Sequence, residues 1–121
     1  MPINGSAIES LFDFMAMSKG FVVSAPRSDA SQYDRIVDTS NGLYRVQIKG
    51  RRGRGERSIM IRVHRANNKF YTKDEIDVIA LYIEDNNSWY FIPVTECKYV
   101  FRVNIQKDKI DQFKNNWSIF K

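Results

Sequence analysis

The sequence predicts an α/β or α+β fold in which helices flank a central mixed β-sheet. A helical pattern lies near each end of the chain, and the runs between them have the composition or alternation of strands. One run, "IDVIALYIE" at residues 76–84, is almost continuously apolar, which is typical of a central strand covered on both faces. This order of elements is typical of a mixed sheet packed against helices.

The first predicted element is a helix over residues 4–19. Asn4 or Ser6 can cap its N-terminus, and Gly20 suits the C-terminal stop. Its apolar residues recur at helical spacing: Ile8, Leu11, Phe12 and Met15.

Strand-like runs follow the helix and are separated by polar or glycine-rich loops. The predicted strands are residues 21–24, 33–39, 43–49, 58–64, 76–84, 89–94 and 98–104. The predicted loops include residues 25–32, 50–57 and 65–75. Residues 106–116 predict a short polar helix, and Ile110, Phe113 and Trp117 have the spacing to pack on the domain or on a second subunit.

A hairpin joins residues 33–39 to residues 43–49. Asn41-Gly42 is the strongest short signal of a two-residue hairpin turn. With that turn, Asp34 pairs with Lys49, Ile36 with Gln47 and Asp38 with Arg45. Alternation then gives one mostly polar face, whereas the opposite face carries Arg35, Val37, Tyr44, Val46 and Ile48 and is mostly core.

Asp34, Gln47 and Lys49 cluster at the end of the hairpin away from its turn, and two interpretations are open. Directly opposed Cβ atoms lie about 4.5–5.5 Å apart, so oxygens of Asp34 and Gln47 could bridge a divalent cation while the lysine positions a water. Alternatively, Asp34–Lys49 and Asp38–Arg45 are ordinary cross-strand ion pairs on a solvated face.

The charge of the chain favours a polyanionic partner. The net charge is +5, from 19 Lys and Arg against 14 Asp and Glu, and a basic balance favours nucleic acid. The segment "KGRRGRGER" at residues 49–57 concentrates basic side chains directly beside the hairpin: Lys49, Arg51, Arg52, Arg54 and Arg57. We expect it to contact DNA phosphates, although a solvated loop is the alternative. Four further residues extend the predicted surface: Arg27, Ser28, Arg62 and Arg65.

The cysteine and histidine counts and the lack of long apolar runs limit the kinds of site that the chain can form. Cys97 is the only cysteine, which excludes an internal disulfide and a cysteine zinc site, and His64 is the only histidine. No apolar run approaches the roughly 20 residues that span a bilayer, and because the first residues lack a basic region followed by an apolar one, we expect no secretory signal. We therefore expect no membrane partner and a location in the cytoplasm.

The hairpin motif resembles that of the PD-(D/E)XK nuclease superfamily. Members carry an aspartate on one strand and an Asp/Glu-x-Lys motif on the next, and here these are Asp34 and "QIK", Gln47 to Lys49. The first helix is similar to the family's, with Glu9 in the place of its glutamate. Residues 71–94 resemble the strand pair that follows the motif. The likeness is greatest to small intron-encoded homing endonucleases and more distant to archaeal-type Holliday junction resolvases.

The resemblance implies a single restriction-endonuclease-like domain over residues 1–121 that hydrolyses DNA phosphodiesters. The implied catalytic residues are Glu9, Asp34, Gln47 and Lys49. The implied ligands of Mg²⁺, or of Mn²⁺ as a substitute, are Asp34, Gln47, the Ile48 carbonyl and Glu9. Since one active site cuts one strand, a homodimer or homotetramer is expected.

Two positions depart from the family pattern. Tyr33 stands where a proline is usual, and Gln47 replaces the acidic residue, which keeps an oxygen ligand but removes a negative charge. A metal-dependent homing endonuclease is the leading hypothesis. A Holliday junction resolvase, a non-catalytic DNA-binding module of the same fold and a generic basic α/β protein are the alternatives.

Overall fold

One helix and two β-sheets form the part of the chain that the computed structural model describes, namely residues 4–52, 58–61, 72–96, 101–104 and 111–121. The helix is α1 (Gly5–Ser18). The strands are β1 (Val22–Ser24), β2 (Arg35–Thr39), β3 (Gly42–Arg51), β4 (Ser58–Ile61), β5 (Val78–Ile83), β6 (Ser88–Pro93) and β7 (Phe101–Asn104). Parts of the predicted strands at 58–64 and 98–104, and of the predicted loops at 50–57 and 65–75, lie outside these residues.

The helix α1 begins and ends close to the predicted positions. Asn4 is the N-cap, because its side chain accepts a hydrogen bond of 2.8 Å from the N–H of Ala7. The helix stops before Gly20, whose φ of +87° is a conformation that favours glycine. Its buried residues lie on one stripe that faces the sheet: Ile8, Phe12 and Ala16.

The main sheet is mixed, as the sequence predicts. Its strand order is β1-β2-β3-β5-β6, and β3 and β5 are its parallel pair. All six residues of β5 are buried, so the prediction of a strand covered on both faces is confirmed. The second described sheet pairs β4 with β7.

The hairpin register differs from the prediction by two residues. Thr39 pairs with Gly42, which makes Ser40 and Asn41 the loop, and Asp38 pairs with Leu43 rather than with Arg45. The Thr39 hydroxyl accepts a hydrogen bond from the N–H of Asn41, and Gly42, with φ +137°, begins β3 instead of completing the turn. Because the shift is even, each side chain keeps its predicted face.

The two faces of the main sheet have separate apolar clusters. The cluster beneath α1 includes Ile8, Phe12, Val37, Val46, Ile48, Val78, Ala80 and Phe91. The cluster on the opposite face includes Ile76, Ile79, Leu81, Ile83, Tyr90 and Ile92, with Tyr33 and Phe113 packed against it. In strand β3, the Ile48 side chain therefore points to the helix side of the sheet. The side chains of the residues directly before and after it point to the opposite face.

The C-terminal segment is not the predicted helix over residues 106–116 in its described part. Residues 106–110 lie outside the described chain, and Asp111–Phe113 is a short 3₁₀ turn. Asn115 then donates its N–H to the Trp89 carbonyl at 2.6 Å and accepts from the Trp89 N–H at 2.9 Å. The segment therefore pairs with the edge of β6, and Phe113 and Trp117 pack on opposite sheet faces. Their helix-like spacing reflects a chain that crosses a sheet edge.

Removing the Phe120 ring should strongly destabilise the fold. Phe120 is fully buried and its ring contacts those of Phe21, Tyr44, Phe91 and Trp117. We expect Phe120→Ala to lower the free energy of unfolding by about 3–5 kcal/mol, measured by urea denaturation. Phe14→Ala is the matched control, because Phe14 is 66% exposed, and it should change stability by less than about 0.5 kcal/mol. Equal effects of the two substitutions would contradict the packing described.

Candidate functional site

The carboxylate of Asp34 is fixed to the backbone of β3. Asp34 precedes β2 by one residue, and its own N–H donates to the Val46 carbonyl at 2.8 Å. Its Oδ2 accepts a hydrogen bond of 2.8 Å from the N–H of Ile48. The side chain therefore replaces a backbone partner where β2 and β3 stop pairing regularly, and it lies at the residue between Gln47 and Lys49.

Gln47 and Lys49 lie on the sheet face opposite α1. In the parallel pairing with β5, Gln47 is the partner of Ile79 and Lys49 the partner of Leu81. Both side chains are half-buried. The Gln47 amide has no hydrogen bond to another described residue, and its oxygen is of the type that binds a hard cation.

The two ion pairs of the alternative interpretation are not formed. Arg45 is bound to Asp77, with Nε 3.1 Å from Oδ2, rather than to Asp38. Within the described residues, Asp34 and Lys49 form no ion pair either. The polar residues of the hairpin are thus not explained as plain cross-strand charge pairs.

The environment of Lys49 lowers its pKa. The main cause is burial, which disfavours the charged ammonium, and the Arg51 guanidinium lowers the pKa further. The Asp34 carboxylate acts in the opposite direction and raises it. Lys49 is therefore a partly desolvated cation in the field of Asp34.

Glu9 is held by Arg35, the residue that follows Asp34. Nη1 of Arg35 lies 3.0 Å from Oε1 of Glu9 and donates to the Asp34 carbonyl at 2.7 Å. Nε and Nη2 of the same guanidinium bind the two carboxylate oxygens of Asp13, at 2.8 and 3.1 Å. One arginine thus connects α1 to the backbone of Asp34.

Arg35 and Asp13 were not predicted as site residues, although Arg35 contacts Glu9 and the Asp34 backbone and Asp13 binds Arg35. The sequence carries a signal for both. Arg35 is a charged residue on the face of β2 predicted to be core, where a cation requires partners. Glu9 and Asp13 are four residues apart and so share one helix face.

Gly50 allows α1 to lie close to β3 beside Lys49. A Cβ atom placed on Gly50 would be 2.1 Å from Cδ1 of Ile8, the neighbour of Glu9. The prediction that residues 50–57 form a loop is wrong for its first two residues, because β3 continues to Arg51. Gly50 serves helix packing in this structure.

Four of the eight predicted DNA-binding residues can be placed. Arg51 is half-buried and donates to the Gly50 carbonyl at 2.7 Å, and Arg52 is exposed directly after β3. Arg27 and Ser28 are exposed on the rim of a groove of about 720 Å³ that Tyr33 also lines. The other four lie outside the described residues: Arg54, Arg57, Arg62 and Arg65.

The donor atoms around Asp34 suit a hard cation. Among the described residues, no three His, Cys, Asp or Glu side chains cluster closely enough to hold a metal ion. The predicted set instead combines the carboxylates of Asp34 and Glu9 with the Gln47 amide and the Ile48 carbonyl. All are oxygen donors, as Mg²⁺ prefers, and Asp34 and Glu9 each have one oxygen outside the bonds described.

Comparison with known proteins identifies similar chains. The sequence model of the PD-(D/E)XK endonuclease family matches residues 5–118. A solved bacterial homing endonuclease, I-Ssp6803I, has a TM-score of 0.77 to this chain at 21% identity, covering 95% of this chain and 88% of that one. This likeness confirms the predicted fold class. No curated protein matches the sequence, and no described helix is long and apolar enough to cross a membrane.

The pKa of Lys49 should lie below that of an ordinary lysine and should depend on Asp34. We expect Asp34→Asn to lower the Lys49 pKa further, because it removes the carboxylate that stabilises the ammonium. The measurement is an NMR titration of the lysine side chains in wild type and variant. Asp38→Asn is the control, since Asp38 is exposed and pairs with Leu43, and it should leave the Lys49 titration unchanged. A Lys49 pKa at or above the ordinary value would contradict the described environment.

Gly50→Ala should destabilise the protein through its contact with Ile8. The added methyl group overlaps Cδ1 of Ile8, and overpacking of this kind costs about 1–3 kcal/mol. Ile8→Val removes that carbon, so Gly50→Ala should cost less in the Ile8→Val background. Urea denaturation of the four proteins of this cycle measures the difference. An equal cost in both backgrounds would show that Ile8 is not the obstacle.

Proposed function

Because this chain belongs to the PD-(D/E)XK endonuclease family, we propose that it is a metal-dependent DNA endonuclease of the homing type, with one domain over residues 1–121. The observation that carries the proposal is the bond between the Asp34 carboxylate and the N–H of Ile48, because it fixes a carboxylate between Gln47 and Lys49. The bacterial homing endonuclease of the same fold supports the choice of homing type.

Four groups of this chain would hold the metal ion. They are the Asp34 and Glu9 carboxylates, the Gln47 amide oxygen and the Ile48 carbonyl, with Mg²⁺ as the ion and Mn²⁺ as its substitute. Bound there, the ion would stabilise negative charge on the scissile phosphate and ease deprotonation of the attacking water. Gln47 keeps an oxygen at the site but adds no charge, so we expect weaker metal binding than a carboxylate would give.

Lys49 would act on the reacting oxygens directly. Its ammonium is partly desolvated, and a hydrogen bond from a desolvated cation stabilises developing negative charge more than one in bulk water. We assign it to orienting the attacking water or stabilising the phosphate in the transition state. Asp34 helps to keep it protonated, since the carboxylate raises its pKa.

Basic residues beside the site would bind the DNA backbone. Arg51 and Arg52 follow Lys49 on the chain, and Arg27 and Ser28 lie in the loop that leads to Asp34. Contacts to phosphates give affinity that falls with salt and carry little sequence information. Double-strand cleavage would require two sites, which favours a homodimer or homotetramer. We place the activity in the cytoplasm of a prokaryotic or phage-infected cell.

Plasmid cleavage tests the proposed activity. Purified protein should nick or linearise supercoiled plasmid in Mg²⁺ or Mn²⁺ and should not do so in EDTA. We expect Lys49→Ala and Asp34→Ala to reduce the cleavage rate by about 10²–10³-fold, as removal of a group that stabilises the transition state does. Lys19→Ala is the matched lysine control, because Lys19 is exposed at the end of α1, and it should cleave like wild type.

The outcomes separate the candidate functions. Full activity of Lys49→Ala would remove Lys49 from the mechanism. If wild type binds DNA but cuts neither duplex nor branched DNA, the protein is a non-catalytic DNA-binding module. Preferential cutting of a cruciform over a random linear duplex would identify a Holliday junction resolvase instead of a homing enzyme.

A further inference from the structure

The guanidinium of Arg35 lies where α1, β2 and the Asp34 backbone meet. Its side chain is 16% exposed, and it contacts Glu9, Asp13 and the Asp34 carbonyl at once. A cation in such a place requires its negative partners, because water supplies little compensation there. The position of Glu9 relative to Asp34 therefore depends on how Arg35 is held.

Arg35 is shared unequally between the two carboxylates. Asp13 binds it through both oxygens, to Nε and Nη2, whereas Glu9 uses only Oε1, to Nη1. The hydrogen bonds from Asp13 are also the largest cause of the raised pKa of Arg35. Asp13 is thus the principal counter-ion, and Oε2 of Glu9 is left outside the interaction.

We propose that Asp13 and Arg35 are positioning residues, which hold Glu9 by one oxygen against the Asp34 backbone and leave its other oxygen for a divalent cation. The inference rests on the proposed metal-dependent activity. The same nitrogen, Nη1, contacts both the Glu9 carboxylate and the backbone carbonyl of Asp34, so it ties Glu9 to the backbone of the residue whose carboxylate would share the ion. Asp13 prevents Arg35 from turning its bidentate edge to Glu9.

The two residues should therefore fail in different ways when replaced. Without the Asp13 charge, Arg35 is free to bind both oxygens of Glu9, and the Glu9 carboxylate then has no oxygen left for the metal ion. Without Arg35, no guanidinium orients the Glu9 carboxylate, but its two oxygens remain free to bind the metal ion. Replacing Asp13 should therefore weaken metal binding only when Arg35 is present. A general loss of packing would weaken it in both backgrounds.

Arg45 and Asp77 provide a matched control pair. Their ion pair also joins β3 to the chain before β5, and Asp77 has a side-chain exposure of 24% against 26% for Asp13. Arg45 also donates to the carbonyls of Lys73 and Asp74, and its described contacts include none of the residues assigned to the metal. Asp77→Asn thus reports the cost of losing an arginine partner away from the site.

Metal affinity measured on the full chain tests the proposal. Mn²⁺ binding by isothermal titration calorimetry, and the Mn²⁺ concentration that gives half-maximal plasmid cleavage, are determined for wild type, Asp13→Asn, Arg35→Gln, the double variant and Asp77→Asn. Substitution of a residue that orients a ligand typically weakens metal binding by about 10–100-fold. We expect a loss in that range for Asp13→Asn, no further loss when it is added to Arg35→Gln, and wild-type affinity for Asp77→Asn.

The results distinguish failure of this inference from failure of the proposed function. If wild type binds Mn²⁺ and cuts plasmid while Asp13→Asn has the affinity of wild type, the positioning role is wrong. It is also wrong if Asp13→Asn weakens binding equally with and without Arg35. If wild type neither binds Mn²⁺ nor cuts, the proposed function fails first. Should Asp13→Asn not fold, Arg35→Lys replaces it: an ammonium cannot make all the described contacts, so an unchanged affinity would overturn the proposal.

Discussion

The close contact between α1 and β3 is the constraint on which the site depends. Gly50 has no side chain, so Ile8 packs directly on the strand, and the buried stripe of α1 enters the cluster beneath it. Glu9 follows Ile8 in sequence and Lys49 precedes Gly50, so this apolar contact fixes the backbone near each residue, although the Lys49 side chain points to the sheet face opposite α1. The packing of α1 on β3 thereby helps to fix the backbone positions of these two polar residues.

The chain at Asp34 and Arg35 connects the two faces of the sheet. Asp34 bonds to the backbone of β3, while Arg35 reaches the carboxylates of α1. Partly buried charges of this kind add little stability, since desolvation offsets much of their attraction. What they provide is a fixed arrangement, because an unpaired charge in the same place would be costly. These ion pairs therefore serve to fix the positions of the charged side chains more than to stabilise the fold.

The charge balance of the site follows from the same arrangement. Arg35 compensates Glu9 and Asp13, whereas Asp34 has no described ion pair and acts on Lys49 through its field. Gln47 adds oxygen without charge. A site with few free negative charges opposes the approach of a phosphate less than a cluster of carboxylates would, which suits a basic protein whose family cuts DNA.

The sequence by itself determined the local elements: the first helix, the buried strand β5, the hairpin and the faces of its side chains, because each depends on spacing and residue type nearby. The pattern that contains Asp34 and Lys49 also indicated the family motif. Only the tertiary structure decided the hairpin register, the path of residues 113–117 along the edge of β6 and the partners of Arg35. These depend on contacts between segments far apart in the chain, and such contacts leave no period in the sequence that could predict them.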